Sequence, residues 1–288
     1  MQSVAVARAA IPRYTCHMTL TGFTNPLSPG GVAQTVEPTP HHISTDCIKV
    51  VFRAGEELAQ AHLPAGLVAV EGGLGFAWVA DMLKVSAHEP DQAFLNPERT
   101  QYEEGAVGWY CRYQGQPGIY FSSLWVTQDW SMLFGQIMGW GKKLAEVHRT
   151  RLMATNPGMA PVGPGTRLAG VVHRHGQTLL RVGIEVERAE AAADLERAER
   201  PRDFDGPWSI FMQRYFPSVG PEIPEVNQLC ALRLTGVQTG PVWSGRPFLE
   251  FGDSDNEELA ALAGAVPLRA YAYEQGWTTD TKLELLRG

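Results

Sequence analysis

Apolar residues in this chain fall mostly into short β-branched and aromatic runs, and only one stretch repeats them at helical spacing. Residues 46–53 (DCIKVVFR) read as a strand, and 55–62 (GEELAQAH) as a short helix that Pro64 ends. Residues 67–83 mix apolar stretches with glycine and predict a hairpin; 86–99 read as an exposed loop. Residues 106–113 (AVGWYCRY) and 119–126 (IYFSSLWV) are strands joined by 114–118, whose Gly and Pro supply hairpin turn chemistry. Trp130, Leu133, Phe134, Ile137 and Met138 predict the one clear helix, capped by Thr127 or Asp129 and stopped by Gly139 and Gly141.

Further strands are expected at 167–173, 178–187, 208–213, 227–237, 247–251 and 267–273. The charged, Ala-rich segment 187–199 reads as a solvated helix and 257–263 as a short one. The first 45 residues, rich in Pro, Gly, Thr and Ser, form a loop-rich N-terminal segment of a single domain spanning 1–288. Many strands, few short helices and no βαβ alternation predict an α+β fold, mainly antiparallel β and barrel-like.

Composition narrows the partners. A chain of 288 residues with 44% hydrophobic and 19% charged residues can bury a large core without disulfides or metals. Its formal charge of −7 argues against nucleic acid, which needs clustered Lys and Arg. An acidic protein that handles an anionic substrate must supply local positive charge at its site. Cys16, Cys47, Cys111 and Cys230 form no CxxC pair, so free thiols are expected. Residues 1–12 carry Arg8 inside their apolar run and lack a longer secretory core, and no run of 18 apolar residues follows. The expectation is a cytoplasmic protein without a membrane span.

The sharpest chemical signal is Lys142-Lys143, directly after the glycine stop. Adjacent lysines ordinarily mark a solvated surface. Here Trp130, Phe134, Met138 and Trp140 stand on one side and Leu144 and Ala145 on the other. A free lysine, with a pKa near 10.4, is protonated at neutral pH. Desolvation lowers that value by roughly 3–5 units, and a neighbouring cation pushes the same way. A lysine beside a lysine in an apolar pocket is therefore a candidate amine nucleophile. Other signals are weaker. His173-Arg174-His175 puts two histidines on one strand face, but no Glu follows as a metal site of that kind needs. Residues 139–143 lack the spacing and the Ser or Thr of a phosphate loop. Neither a GxSxG elbow nor a GxGxxG helix start is present.

From Glu104 through Tyr113-Gln114-Gly115 and Ile119-Tyr120 to Gly139-Trp140-Gly141-Lys142-Lys143-Leu144-Ala145, the chain resembles the core of the acetoacetate decarboxylases. That family carries a Glu, a strand ending in an aromatic-x-Gly turn, and a Gly-aromatic-Pro-Lys-Lys-Leu run. Residues 242–247 (VWSGRP) are similar to its later Trp-x-Gly-Pro stretch, and Phe52-Arg53 to its early aromatic-Arg strand end. The resemblance touches most of the chain from about residue 43. Lysine activation by desolvation beside a second cation is the known case of acetoacetate decarboxylase itself.

The resemblance implies an acetoacetate decarboxylase-like fold, Lys142 as the Schiff-base lysine, Lys143 as its electrostatic neighbour and Glu104 as the active-site glutamate. Glu103, one residue away, is the alternative. Trp140 belongs to the apolar wall. Gly141 stands where the family has Pro, and no Gly-Arg-Glu precedes it. Thr45 falls where the family has an Arg for the substrate carboxylate, and Thr cannot supply a bidentate cation. His41, His42 and Arg53 are the candidates to replace it. Three functions stay open. One is a Schiff-base lyase decarboxylating a β-keto acid such as acetoacetate. Another is a Schiff-base aldolase or dehydratase acting on a 2-oxo acid such as pyruvate. The last is a non-catalytic binding barrel with Lys142 as a counter-ion. The resemblance implies a small keto-acid ligand, a homo-oligomer, and no cofactor or metal.

Overall fold

The structure, a computed structural model, describes residues 19–153, 155–205, 208–220, 223–279 and 282–286. The reading of residues 1–12 and the thiol of Cys16 lie outside the described residues. Residues 19–35 belong to a small unit of their own, in which Thr21 and Ser28 exchange backbone hydrogen bonds of 2.8 and 3.0 Å.

The larger unit, from Val36 onward, is built on strands. In chain order they are β1 (His41–Arg53), β2 (Leu67–Ala69), β3 (Leu74–Ser86), β4 (Gln101–Tyr113), β5 (Gln116–Val126), β6 (Lys142–Leu144) and β7 (Glu146–Arg149). Then follow β8 (Arg167–Arg174), β9 (Gln177–Glu190), β10 (Ser209–Phe216), β11 (Val226–Leu232), β12 (Thr235–Phe251), β13 (Val266–Thr279) and β14 (Glu284–Leu285). The helices are α1 (Glu56–Ala61), α2 (Gln92–Leu95) and α3 (Asp129–Met138). The strands lie in the order β14-β11-β10-β5-β4-β3-β1-β13-β12-β9-β8-β7, with β2 on β4 and β6 on β5. Among the described residues all strand pairings are antiparallel except β10–β5 and β5–β6. The fold is thus α+β and mainly antiparallel, as the sequence predicts. Its strand path stays open from β14 to β7, so it is barrel-like only loosely.

The central strands are buried on both faces, which is why their sequences read as near-continuous apolar runs. On β1, Cys47 and Val51 join one cluster with Phe76, Tyr110 and Phe134, while Ile48, Val50 and Phe52 join the other with Trp109 and Trp125. Residues two apart share a face. Lys49 therefore sits on the same side as Cys47 and Val51, and it is only 6% exposed.

The β4–β5 hairpin forms as predicted, around Gln114 and Gly115 with φ of 48° and 85°. Such a pair of left-handed residues fits the twist of a two-residue hairpin. Other expectations need correction. Residues 67–83 do not form a hairpin: β3 has both its edges filled by β1 and β4, so β2 pairs with β4 instead. The segment 86–99 contains α2 and a 3-10 turn at Pro97–Arg99. The helix expected at 187–199 is absent. The ladder to β12 carries β9 on to Glu190, and only a 3-10 turn at Ala192–Asp194 follows, so tertiary pairing overrides local propensity. A 3-10 turn at Ala260–Leu262 replaces the helix at 257–263. Residues 233–234 break the strand expected at 227–237, and β12 reaches back to Thr235.

Candidate active site

The helix α3 ends on Gly139, whose φ of 103° lets the chain reverse into β6. A Cβ there would meet Arg214 at 2.9 Å, so the turn needs glycine for space as well as conformation. The short strand β6 then pairs in parallel with β5, setting Lys142 against Leu124 and Lys143 against Trp125. Neighbours on a strand face opposite ways. Lys142 turns inward and is 6% exposed. Its alkyl chain lies across Gly135 of α3: a Cβ at that glycine would stand 2.6 Å from both Cγ and Cδ of Lys142.

The Lys142 amine donates to Glu104 Oε2 at 2.7 Å and to Ser131 Oγ at 3.2 Å. It lies 5.2 Å from the centre of the Tyr102 ring and 5.8 Å from that of Trp140. Glu104 and Tyr102 are two apart on β4 and so share its inner face. Glu103 points the other way, accepting from Thr127 Oγ1 at 2.9 Å and from Arg151 at 3.0 Å. Burial alone would pull the Lys142 ammonium down, but the Glu104 carboxylate and the Tyr102 hydroxyl outweigh it and hold it above the ordinary lysine value. Burial also pushes the Tyr102 hydroxyl up to about 12, so it stays a protonated donor.

The amine opens on a cavity of about 410 Å³, lined by Trp78, Phe121, Phe134 and Trp140 among others. Several charged side chains line it as well: Lys49, Glu104, Glu196, Arg200 and Arg233. Lys49 donates to Glu196 at 2.7 Å and stands 4.0 Å over the Phe76 ring. Glu196 also accepts from the Tyr110 hydroxyl.

Over residues 24–285 the sequence matches the family model described as acetoacetate decarboxylase (ADC). The chain belongs to the acetoacetate decarboxylase family. Among solved structures it is similar to an acetoacetate decarboxylase-like enzyme from Sphingomonas wittichii RW1, at 29% identity and a TM-score of 0.84, covering 93% of this chain and 100% of that one. It is also similar to the enduracididine biosynthesis enzyme MppR, complexed with the condensation product of pyruvate and imidazole 4-carboxaldehyde, at 25% identity and a TM-score of 0.81 (93% and 97% covered). The acetoacetate decarboxylase of Legionella pneumophila shares the fold, with a TM-score of 0.70 at 15% identity over 88% and 90%. No curated protein matches the chain.

Set against the family expectations, Lys142, Glu104 and Trp140 come together around one cavity and two other positions do not. Lys143 turns to the outer side, donating to Glu257 at 2.8 Å with its side chain 44% exposed. It does not stand beside the Lys142 amine, because consecutive strand residues diverge. Thr45 is buried with its hydroxyl unpartnered, but it lines an adjoining groove rather than the Lys142 cavity. Nor do the candidates to replace the missing Arg line that cavity. His41 is packed against Phe134, His42 is exposed, and Arg53 is exposed beside Gly72.

Sequence reasoning missed Tyr102, Ser131 and Gly135. A faint signal was present for each. Tyr102 is two residues before Glu104, and Ser131 and Gly135 are the small residues at i, i+4 on the helix that precedes the lysine pair.

Proposed function

We propose that the protein is a Schiff-base lyase acting on a keto acid, with Lys142 as the nucleophile and Glu104 as its proton partner. The observation that carries this reading is the inward, buried Lys142 amine, 2.7 Å from Glu104 and facing a cavity large enough for a ligand. Here the neighbour of the amine is a carboxylate, not a second lysine, and it serves as the proton acceptor rather than by lowering the ammonium pKa. A proton passes from Lys142 Nζ to Glu104 Oε2, and the freed amine attacks the substrate carbonyl carbon. The protonated Glu104 returns its proton to the departing hydroxyl, giving water and a cationic imine.

That cation draws electrons from the bond beside the α-carbon. In a β-keto acid such as acetoacetate the bond to the carboxylate breaks, releasing carbon dioxide and an enamine. Protonation at carbon and hydrolysis then give the ketone and free Lys142. Tyr102 and Ser131 stand within reach of the same nitrogen and orient it. Aldol condensation or dehydration of a 2-oxo acid such as pyruvate is the second reading. It is favoured by the likeness to MppR, crystallised with a pyruvate condensation product, and by Thr45 in place of the family Arg.

The test is borohydride reduction in the presence of a keto acid, followed by peptide mass analysis. An irreversible adduct on Lys142, absent from Lys142→Met, is the expected result. Reversible binding without an adduct would leave a binding protein only. Carbon dioxide release from acetoacetate, compared with product formation from pyruvate plus an aldehyde, separates the two lyase readings.

A further inference from the structure

The cavity carries more positive charge than its ion pairs use. Its lining holds Lys49, Lys142, Arg200 and Arg233 against two carboxylates, Glu104 and Glu196. Glu104 is taken by Lys142 and Glu196 by Lys49, each at 2.7 Å. Arg200 and Arg233 have no carboxylate partner among the described residues, in a chain whose formal charge is −7. The Nε–H of Arg200 is covered and has no acceptor. The indole N–H groups of Trp78 and Trp140, which line the same cavity, are likewise covered and unpartnered. No lining side chain among the described residues has a covered acceptor without a partner. Buried donors without acceptors call for an explanation, and a ligand is one. A wall with spare cations and spare donors fits a ligand rich in acceptors and negatively charged. Reaching the covered donors takes a side-chain shift of the kind common on binding.

Arg200 is held in place. Its backbone N–H donates to Glu196 O at 2.9 Å. Glu196 sits in the left-handed region with φ 59°, a conformation costly for a residue with a side chain unless its surroundings fix it. Lys49 and Tyr110 fix it by gripping its carboxylate, and Glu199 is fixed in turn by the Tyr271 hydroxyl. A guanidinium on so anchored a segment is preorganised to clamp a carboxylate. The cavity volume falls within the range of about 300–1,000 Å³ that takes drug-sized ligands. A four-carbon keto acid would fill little of it.

We propose that Arg200, assisted by the more exposed Arg233, is the anion clamp of this cavity, and that the substrate is an elongated keto acid. Its carbonyl, with the adjacent carboxyl group on which the imine chemistry acts, meets Lys142, its apolar middle lies along Trp78, Phe121 and Trp208, and a second, distal carboxylate meets Arg200. Only the carbonyl end rests on the imine reading above.

Two matched ketones test this: 4-phenylbutan-2-one and its carboxylated counterpart, 4-(3-oxobutyl)benzoate. Borohydride trapping at Lys142 is titrated against each. In the wild-type protein the carboxylated ketone traps at the lower half-saturating concentration. Arg200→Met cuts that advantage by about 10- to 100-fold, the worth of a charge-assisted hydrogen bond. Arg200→Lys, which keeps the charge and loses the fork, restores part of it. Arg167→Met, which removes the same charge from an exposed pair with Glu185, leaves it unchanged. No advantage in the wild type, or one that survives both Arg200→Met and Arg233→Met, overturns the clamp. If neither ketone gives an adduct, the imine reading fails, and calorimetry with 4-butylbenzoate decides the clamp alone. Binding that Arg200→Met weakens supports it; no binding, or binding indifferent to Arg200→Met, overturns it.

Discussion

Two buried lysines face the same cavity, and each donates to a glutamate at 2.7 Å. Their surroundings differ. Glu104 serves Lys142 within a cluster of neutral donors, Ser131 and Tyr102. Glu196 is already engaged by the Tyr110 hydroxyl, and Lys49 is pressed on the Phe76 ring. Among the described residues, Glu104 in the first pair takes no side-chain hydrogen bond other than that from Lys142. The second is a fastening that holds the 191–200 segment against β1 and β4. Pairing distance alone therefore does not separate the nucleophile proposed at Lys142 from a strut at Lys49; the remaining hydrogen bonds of the two carboxylates differ.

Removing the amines separates the two most sharply. Lys142→Met should reduce turnover to the uncatalysed background and abolish the borohydride adduct. Lys49→Met should keep the adduct at Lys142 but lose stability by about 3 kcal/mol, since it strands a buried carboxylate. Urea unfolding and peptide mass analysis read the two effects. An adduct on residue 49, or none on 142, would reverse the assignment.

Glu104→Gln comes next. In the intact pair the carboxylate outweighs burial and keeps the Lys142 ammonium high. With the carboxylate gone, burial dominates and the ammonium falls, so the neutral amine becomes available at lower pH. The pH of half-maximal trapping should shift to the acid side, while turnover drops by about 10²- to 10⁴-fold for want of a proton partner. A parallel loss of both with no shift in the profile would deny Glu104 that role. Gly135→Ala should follow, with turnover down by about 100-fold, because the new methyl pushes the Lys142 chain from its groove and small misplacements are costly. The same change favours the helix by roughly 1 kcal/mol. That gain is offset by the Trp140 backbone oxygen, 2.9 Å from the new methyl, so the signature of displacement is an activity loss far larger than the unfolded fraction, in protein that still melts as one species.

Much of this was legible in the chain. The helical spacing of Trp130 to Met138, the double glycine stop and the apolar flanks of Lys142 mark one end of the site, and all three are local. The rest depends on long-range register. Whether Glu103 or Glu104 faces inward is set by the pleat of β4 between β3 and β5, a one-residue question that no local pattern answers. Lys49 hides inside an apolar run because its partner, Glu196, lies 147 residues further along. The segment around Glu196 looks helical by composition and is instead held open by tertiary contacts.

The mildest effect is expected at Lys143, the residue the resemblance would rank second. It shares a strand with Lys142 yet faces Glu257 on the outer side. That carboxylate is buried, but it keeps a second cation in Arg174 at 3.2 Å, so Lys143→Met strands no charge. An ion pair with one partner this exposed contributes less than about 1 kcal/mol. Trapping at Lys142 should therefore change by no more than about fivefold, with the pH profile unmoved. A profile that moves to higher pH in Lys143→Met would mean that its charge reaches the Lys142 amine after all, and that the carboxylate partner does not govern activation alone.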